Sequence, residues 1–532
     1  MILKRIVIIH MNVDHRRNGG EPMSVLEMWN PATAKKMGEL KEAKKEDVEQ
    51  AMAEAREAFT SWKEMPLAER LRFIKRLREE IVEQAPELAK KIAQDTGKVE
   101  LEALMSDILP TVSTLKYYEK KAASILKTKQ VPTPVTLIGR RSRVEYRPMG
   151  VVAVISPWNY PFMLSVIPVV SAMIAGNAVL FKPSEISPLT GQVIEELFSS
   201  LSLPKGVFRV LHGGKETGHH LVDAGPDKIF FTGSAATGRK IMAAAAEKLI
   251  PVDLELGGKD PMVVFADADL DRAVNGALWG AFTNAGQTCM AVERVYVESS
   301  VYDSFVQKVK EKTDQLRVGQ PDDADIGSMT SPQQMEIVES HLKDATEKGA
   351  RILCGGKRLN GETLHFEPTV LVDVDHSMKI MRDETFGPVL PIMPFSSEEE
   401  AVQLANETPY GLNASVWSKD REKAGRVAAR INSGNVCVND VMIGIANPHL
   451  PYGGNKDSGI GRYHGPEGLL TFVHPTSVLT HPGKKRRELN WFPYHPDQFK
   501  ALRSLLHLLY GRRPLQGLKG LPKLTKEFFR SE

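Results

Sequence analysis

The sequence predicts an α/β fold with a doubly wound parallel sheet, because short apolar runs alternate with helical runs over most of the chain. After Gly150 the strand-like segments VVAVISP, NAVLFKPS and KIFFTGS are separated by helical segments of about 10 to 15 residues, the pattern of βαβ units. A second series starts at Pro261 and includes MVVFADADL, ERVYVES and GNVCVND. A chain of 532 residues can form two or three domains. We therefore expect two α/β domains, each with its own sheet.

Helical runs and a hairpin-like segment precede the first strand series. VEQAMAEAREAF, LAERLRFIKRLREEIVEQ and PELAKKIAQDTG have a helical period, and the last run ends at Gly97. The segment KQVPTPVTLIGRRSRVEYRPMG combines prolines with alternating residues, which indicates a hairpin or, alternatively, a loop. Near the other end of the chain, TFVHPTSVLTH predicts an edge strand.

The composition excludes several classes of protein. With 42% hydrophobic and 25% charged residues, the chain is expected to fold rather than to be disordered. Its three cysteines, Cys289, Cys354 and Cys437, are odd in number and widely spaced, which argues against a disulfide framework and a zinc site. MILKRIVIIH is a poor signal peptide, and no apolar run reaches the roughly 18 to 20 residues of a spanning helix. We expect a cytoplasmic protein without a metal ion.

The two ends of the chain differ from its body. Residues 1–22 match no periodic element, so they are expected to be disordered or to precede the true start at Met23. Residues 484–532 hold twelve Lys or Arg and four Asp or Glu, which makes this tail a basic appendage. A helical face there can bind a membrane surface peripherally, cover a substrate entrance, or pack on its own protein; its apolar residues are Phe499, Leu502, Leu505, Leu506 and Leu509.

Polar motifs follow the predicted strands. They are PWNYP at 157–161, KPSE at 182–185, FTGS at 231–234 and ELGGK at 255–259. In doubly wound sheets, ligands bind beyond the carboxyl ends of the strands. The segment FTNAGQTC places Cys289 on a turn between a helix and a strand. From the residues alone this thiol is either a nucleophile in a cleft or a small core side chain.

Together with GQTC at 286–289, ETFGPV at 384–389 and PYGGNKDSGIGR at 451–462, these motifs closely resemble the aldehyde dehydrogenase superfamily in order and spacing. The resemblance covers roughly Val25 to His481. It implies a Rossmann-like NAD(P)-binding domain at 23–255, with 130–147 in a small β oligomerisation arm, and a catalytic domain at 256–440. It also implies a return segment and oligomerisation strand at 441–483, before the tail at 484–532. Family members are homodimers or tetramers, and we expect no nucleic acid partner.

The resemblance assigns the catalytic roles. Cys289 would attack the aldehyde to give a thiohemiacetal and then a thioester. Asn159 and the Cys289 backbone N–H would hold the oxyanion. Glu255 would activate the water that hydrolyses the thioester. Because members that pass the acyl group to coenzyme A commonly lack this glutamate, its presence implies a free acid product.

The resemblance also assigns the cofactor residues. Lys182 and Glu185 would bind the adenosine ribose, and Gly233 and Ser234 would lie at the pyrophosphate. Glu384 would bind the nicotinamide ribose, Phe386 would pack beside the nicotinamide ring, and Trp158 is also expected to contact the cofactor. An acidic ribose contact favours NAD, with NADP as the alternative.

The substrate is expected to be an apolar aliphatic or aromatic aldehyde. Family members specific for succinate semialdehyde carry two arginines where this chain has Ile167 and Thr283, so a second carboxylate would be left unpaired. The expected tunnel residues are Phe162, Met163, Met290 and Ile443. The alternatives are a semialdehyde dehydrogenase such as one for succinate semialdehyde, ester or thioester hydrolysis without redox chemistry, and a non-catalytic binding protein on the same fold.

Overall fold

The computed structural model describes residues 24–319, 324–359, 361–483, 486, 488, 490–494, 496–512 and 522. The expectation for residues 1–22 lies outside this part of the chain. The chain forms two compact units. The first unit runs to Lys127 and resumes from Tyr146 to His474, and the second comprises Thr128–Glu145 and the residues from Pro475 on.

The described residues contain the following strands, numbered in chain order: β1 (Val25–Asn30), β2 (Lys35–Lys41), β3 (Lys129–Val131), β4 (Arg141–Pro148), β5 (Val151–Ile155), β6 (Ala178–Lys182), β7 (Phe208–Val210), β8 (Lys228–Thr232), β9 (Val252–Glu255), β10 (Asp260–Val264), β11 (Val292–Glu298), β12 (Arg351–Cys354), β13 (Thr369–Val372), β14 (Val389–Phe395), β15 (Asn413–Trp417), β16 (Asn435–Val438), β17 (Gly459–Ile460) and β18 (Val473–Thr480). β1 and β2 form a hairpin of their own.

The first large sheet has the order β17-β9-β8-β5-β6-β7 and is parallel except for β17. Alternate residues of β5 enter different apolar cores: Val152 and Val154 join one cluster, and Val151, Ala153 and Ile155 join the other. Since strand side chains alternate between the two faces, helices must cover both faces. The predicted doubly wound sheet is confirmed.

The second large sheet has the order β12-β13-β14-β11-β10-β15-β16 and is parallel except for β12. The inner strands β10 and β15 are buried along their whole length, as expected for strands covered on both faces. The expected second α/β sheet is therefore present.

Most helices of the described residues belong to the first compact unit, where they alternate with the strands of these sheets, and Pro496–Tyr510 belongs to the second. The three helices predicted near the start are confirmed as Lys45–Trp62, Leu67–Glu83 and Ala85–Thr96, the last of which ends at Gly97 in a left-handed conformation. A short helix, Glu100–Glu102, continues through a π-helical segment, Ala103–Ile108, into Leu109–Leu126. The later helices are Met163–Ile174, Pro188–Ser199, Lys215–Asp223, Ala235–Ala246, Leu270–Phe282, Tyr302–Thr313, Pro332–Glu347, Lys379–Arg382, Glu398–Asn406, Arg421–Ala428, Glu467–Leu470 and Pro496–Tyr510.

The second compact unit contains a three-stranded sheet of order β18-β4-β3. β3 and β4 pair antiparallel, which confirms the predicted hairpin, and β18 is an edge strand as predicted. Arg140 forms an ion pair with Glu488 at 2.9 Å. In the helix Pro496–Tyr510, Phe499, Leu502 and Leu506 are exposed. No helix in the described part of the chain is both long and apolar enough to cross a membrane.

Candidate active site

The predicted motifs lie where strands of the first large sheet end. β5 ends at Ile155, just before PWNYP, and β6 ends at Lys182, the first residue of KPSE. β8 ends at Thr232, inside FTGS, and β9 ends at Glu255. Because these strands are parallel neighbours, the four motifs meet at one edge of the sheet.

Cys289 follows a tight turn with an unusual backbone. After the helix Leu270–Phe282, the residues Asn284, Ala285 and Gly286 have φ values of 53°, 52° and 72°. Left-handed conformations of this kind cost free energy in residues other than glycine. At Gly286 a Cβ atom would lie 2.1 Å from the carbonyl oxygen of Gly387, so only glycine fits there. The turn therefore needs outside support.

Glu102 gives that support from the short helix Glu100–Glu102. Its Oε1 accepts hydrogen bonds from the Thr283 hydroxyl at 2.7 Å and from the backbone N–H of Asn284 at 2.8 Å. Burial raises the pKa of Glu102, and the two donors act in the opposite direction. The carboxyl group thus fixes the start of the turn that carries Cys289.

Asn159 is held beside the same turn. Its side-chain amide donates to the carbonyl oxygen of Gln287 at 3.1 Å, two residues before Cys289. Its backbone carbonyl accepts from the Lys98 ammonium at 2.7 Å. Lys98 forms a fully buried ion pair with Asp107, also at 2.7 Å. A buried lysine is tolerated here because a carboxylate and a carbonyl oxygen satisfy its charge.

The thiol of Cys289 is half-buried, and its sulfur lies 3.7 Å from the hydroxyl oxygen of Tyr452. Burial raises the pKa of the thiol to about 12, and the neighbouring Asp260, Glu384 and Glu255 carboxyls add to the rise. The hydrogen bond with Tyr452 lowers it. In this state the thiol is protonated at neutral pH, so its reactivity depends on groups that favour the thiolate.

Glu255 lies at the carboxyl end of β9 and is 4% exposed. Among the described residues its Oε2 has no hydrogen-bond partner. Burial raises the pKa of Glu255 well above its usual value; Asp253 raises it further and Arg462 lowers it. An unpaired carboxyl oxygen beside a thiol is free to bind a water molecule.

The two glycines after Glu255 are required by close neighbours. A Cβ atom at Gly257 would lie 2.1 Å from Glu384 Oε2, and one at Gly258 would lie 2.5 Å from the carbonyl oxygen of Cys289. The Gly258 N–H donates to Glu384 Oε1 at 3.2 Å. The ELGG sequence thus lets Glu384 and the cysteine backbone approach the end of β9.

A buried ion pair positions the loop that carries Glu384. Glu293 pairs with Lys259 and accepts the backbone N–H groups of Thr385 and Phe386, both at 2.9 Å. Phe386 has a φ of 51°, which this anchoring maintains. Desolvation raises the pKa of Glu384 to about 8, with a further contribution from Glu293.

The remaining predicted cofactor residues lie at the same strand ends. The buried Lys182 ammonium donates to Glu185 at 3.1 Å, and 41% of the Glu185 side chain is exposed. Ser234 caps the helix Ala235–Ala246, and its hydroxyl accepts the N–H of Thr237 at 3.3 Å. The Gly233 N–H donates to the carbonyl of Glu255 at 3.0 Å. A helix N-terminus at a strand end suits an anion such as pyrophosphate.

Two aromatic rings flank the region near Glu384. Trp158 and Phe386 form an edge-to-face pair with ring centroids 5.4 Å apart, and both rings remain partly exposed. They offer flat apolar surface next to the strand ends.

Three of the four expected tunnel residues, Phe162, Met163 and Met290, belong to one buried apolar cluster, of which Ile443 is not a member. Met290 lies beside the nucleophile, with its sulfur 3.6 Å from the Tyr452 hydroxyl. Phe162 is fully buried in the core, Met163 is also buried, and Ile443 is 51% exposed on a short 3₁₀ helix. Sequence reasoning also missed several buried charged residues around the site, because a lone charged residue is usually solvated; these are Lys98, Glu102, Asp107 and Glu293. Tyr452 lies in the predicted PYGGNKDSGIGR motif, but the motif assigned it no role.

Comparison with known proteins decides the family. Residues 19–478 match the model of the aldehyde dehydrogenase family. The chain belongs to the aldehyde dehydrogenase family. The resemblance found in the sequence is thereby confirmed, and so is the fold class.

Other members of this family are similar over most of the chain. A 4,4′-diapolycopene aldehyde oxidase from Methylomonas sp is 45% identical over 490 residues, which cover 92% of each chain. A putative succinate-semialdehyde dehydrogenase [NADP(+)] 2 from Mycobacterium ulcerans is 40% identical over 440 residues, 82% of this chain and 84% of the relative.

Solved aldehyde dehydrogenases have the same fold. The NAD+ complex of an aldehyde dehydrogenase from Mycobacterium tuberculosis has a TM-score of 0.83 and 36% identity, and covers 86% of this chain and 95% of its own. A putative aldehyde dehydrogenase from Burkholderia cenocepacia has a TM-score of 0.84 and 34% identity, with coverages of 87% and 96%.

Proposed function

We propose that this family member oxidises an aldehyde to the free carboxylic acid with NAD+, using Cys289 as the nucleophile. The observation that carries the proposal is the meeting of three segments at one place. The Asn159 amide is bonded to the carbonyl of Gln287, two residues before Cys289. The chain just after Glu255 comes so near that a Cβ atom at Gly258 would lie 2.5 Å from the Cys289 carbonyl oxygen. A nucleophile, an oxyanion donor and a base are the groups that this reaction requires.

The first step is attack of the Cys289 thiolate on the aldehyde carbon. A carbon–sulfur bond forms, and the carbonyl electron pair moves to oxygen. The second N–H of the Asn159 amide and the backbone N–H of Cys289 would donate to this oxyanion. One such fixed donor is worth about 3 to 4 kcal/mol in a site from which water is excluded.

The residues at the strand ends fit NAD+. Lys182 and Glu185 would hold the adenosine ribose, Ser234 and Gly233 the pyrophosphate, and Glu384 the nicotinamide ribose, with Trp158 and Phe386 against the ring. When bound, NAD+ supplies the acceptor for the hydride that the thiohemiacetal carbon must lose. The exposed Glu185 carboxylate would repel a 2′-phosphate, which favours NAD+. NADP+ is the second candidate, since relatives named for NADP+ are 38 to 40% identical.

Glu255 would then release the product. Its unpaired Oε2 would take a proton from water as the water oxygen attacks the thioester carbon. The carbon–sulfur bond breaks, and the Cys289 thiolate leaves. The raised pKa of Glu255 suits a group that takes up a proton and releases it again near neutral pH.

The proposed substrate is a large apolar aldehyde without a second charge. Thr283 stands where a clamp for an anionic substrate would need an arginine, and its hydroxyl donates to the Glu102 carboxyl, so this position offers no cation. The relative that is 45% identical is named for a diapolycopene aldehyde. Succinate semialdehyde remains the second candidate, because several relatives are named for it.

A substrate panel tests both parts of the proposal. We expect NADH formation with octanal or benzaldehyde at a kcat/KM at least about tenfold above that with succinate semialdehyde. Cys289→Ala should abolish turnover, whereas Cys354→Ala, at another half-buried cysteine, should retain it. Turnover by the Cys289→Ala variant would refute the mechanism, and a preference for succinate semialdehyde would refute the substrate class.

We also propose the domain roles that the family resemblance implies. Residues 23–255 would bind the cofactor, 256–440 would carry the nucleophile, and the sheet of β3, β4 and β18 would join subunits of a dimer or tetramer. The exposed backbone edge of a small antiparallel sheet is suited to such pairing. Analytical ultracentrifugation of the full chain and of a chain cut after His474 tests this: the shorter chain should dissociate.

The tail is proposed to contact membranes peripherally. The match to the diapolycopene aldehyde oxidase covers 490 residues, whereas the family model ends at residue 478. Part of that match therefore lies beyond residue 478. The tail residues Lys500, Arg503 and Arg512 are exposed. So are these apolar side chains, which together with the basic residues suit an anionic lipid surface: Trp491, Phe492, Tyr494, Phe499, Leu502, Leu506 and Tyr510.

A further inference from the structure

We propose that Tyr452 is a further catalytic residue, whose hydroxyl donates a hydrogen bond to the Cys289 thiolate before it attacks the aldehyde. This inference rests on the nucleophilic role proposed for Cys289. The hydroxyl oxygen of Tyr452 lies 3.7 Å from the cysteine sulfur, and the tyrosine side chain is 3% exposed. A buried hydroxyl next to a sulfur has few other partners with which it can bond.

The proton of this hydroxyl has two sulfur atoms within reach. The oxygen lies 3.6 Å from the Met290 sulfur, to which the hydroxyl donates. A thioether is a weak acceptor, whereas a thiolate carries a full charge, and hydrogen bonds to charged groups are about twice as strong. As Cys289 ionises, the hydroxyl should therefore turn from Met290 to the thiolate. Tyr452 keeps its proton throughout, and no covalent bond is made or broken.

The backbone holds Tyr452 in position for this contact. Its N–H donates to the carbonyl of Tyr463 at 2.7 Å, and the N–H of Tyr463 donates back at 2.8 Å. The ring of Tyr463 packs edge-on against that of Tyr452, with centroids 5.5 Å apart. Because the ring is clamped in this way, little reorganisation is needed when the negative charge appears.

The surroundings of the sulfur make such a donor necessary. Burial and three carboxyls raise the pKa of the thiol, while the Tyr452 hydrogen bond lowers it. Burial also raises the pKa values of Glu255 and Asp260, which lowers the share of negative charge that these carboxyls present to the thiolate. The titratable groups that face the sulfur, besides Tyr452, are Asp260, Glu384, Glu255, Tyr160 and Tyr463.

Alkylation of the free enzyme tests the inference without any aldehyde. The rate at which iodoacetamide modifies Cys289 in the full-length protein would be followed by peptide mass spectrometry across a range of pH. Tyr452→Phe removes one oxygen atom and keeps the ring. We expect the midpoint of the alkylation profile to rise by about one pH unit, with rates about tenfold lower below it. An unchanged profile in a folded Tyr452→Phe protein would overturn the proposal.

Variants of two neighbouring residues distinguish loss of the Tyr452 hydroxyl from a change in packing. Tyr463→Phe removes a hydroxyl from the adjacent ring, and its profile should match the wild type. Met290→Leu removes the competing acceptor, so its midpoint should fall. A rise in either variant as large as that in Tyr452→Phe would overturn the proposal. If Tyr452→Phe does not fold, an unchanged or higher midpoint in Met290→Leu would overturn the proposal. Failure of the proposed function would be recognised separately, as turnover by Cys289→Ala.

Discussion

The hydroxyl of Thr283 donates to Oε1 of Glu102 at 2.7 Å, although the two residues are 181 positions apart in the chain. The same oxygen accepts the backbone N–H of Asn284, the first left-handed residue of the cysteine turn. Through these two bonds, a carboxyl group on a short helix determines where the nucleophile lies.

Replacing Glu102 by alanine should therefore impair catalysis and stability together. Two buried donors would lose their acceptor, at about 1 to 3 kcal/mol each. We expect a fall of several degrees in the melting temperature and a fall of about tenfold or more in kcat. Glu102→Gln keeps an acceptor oxygen and should be milder, and Glu100→Ala on the same helix should be close to wild type. Wild-type kcat and melting temperature in Glu102→Ala would contradict this account of the turn.

Gly257 should govern the affinity for the cofactor. An alanine Cβ there would meet Glu384 Oε2 at 2.1 Å, so the glutamate would have to move. Since Glu384 is the proposed partner of the nicotinamide ribose, Gly257→Ala should raise the KM for NAD+ about tenfold, and more than the KM for the aldehyde. Gly425→Ala is the matched control, because a Cβ at that helical site meets nothing within 4 Å. Equal effects of the two substitutions would count against the assignment.

The buried Asp95 should make stability fall as the pH rises. Its carboxyl accepts the Thr190 N–H at 2.7 Å, and burial raises its pKa to about 7. A folded-state pKa above the unfolded one means that the stabilisation is complete below about pH 4 and is lost as the pH rises through about 7. Asp95→Asn keeps an acceptor and cannot ionise. Differential scanning fluorimetry should show the wild type losing stability relative to this variant between about pH 4 and 8, whereas curves that stay parallel would exclude the effect.

The tail should contribute to lipid binding through its exposed apolar side chains. We expect the double variant Phe499→Ser and Leu506→Ser to sediment less with phosphatidylglycerol vesicles than the wild type does. Leu249→Ser is the control, because Leu249 is 90% exposed but lies in the first compact unit. Neither protein should sediment with neutral phosphatidylcholine vesicles. If the tail variant binds like the control, the membrane proposal is wrong.

The sequence predicted features that follow from local patterns, but not those that depend on contacts between residues far apart in the chain. The strand ends could be predicted, because alternation of apolar runs and helices is a local pattern and Lys182 or Glu255 follows its strand directly. The buried charged residues that hold the site in place could not be predicted, because burial of a charge such as Lys98 or Glu293 depends on partners far along the chain. Lys98 meets the carbonyl of Asn159 across 61 positions, and Glu293 pairs with Lys259 across 34. The expected tunnel wall at Phe162 stays a prediction, because a buried apolar residue next to a motif fits a tunnel wall as well as the core.

The proposed reaction passes through a thioester at Cys289 that Glu255 helps to hydrolyse. Glu255→Gln keeps the shape of the side chain but cannot take a proton from water. Mixed rapidly with NAD+ and octanal, this variant should give a burst of about one NADH per active site and then stop. Mass spectrometry should find the octanoyl group on Cys289. Steady turnover at the wild-type rate, or a burst with no acyl group on Cys289, would contradict the mechanism.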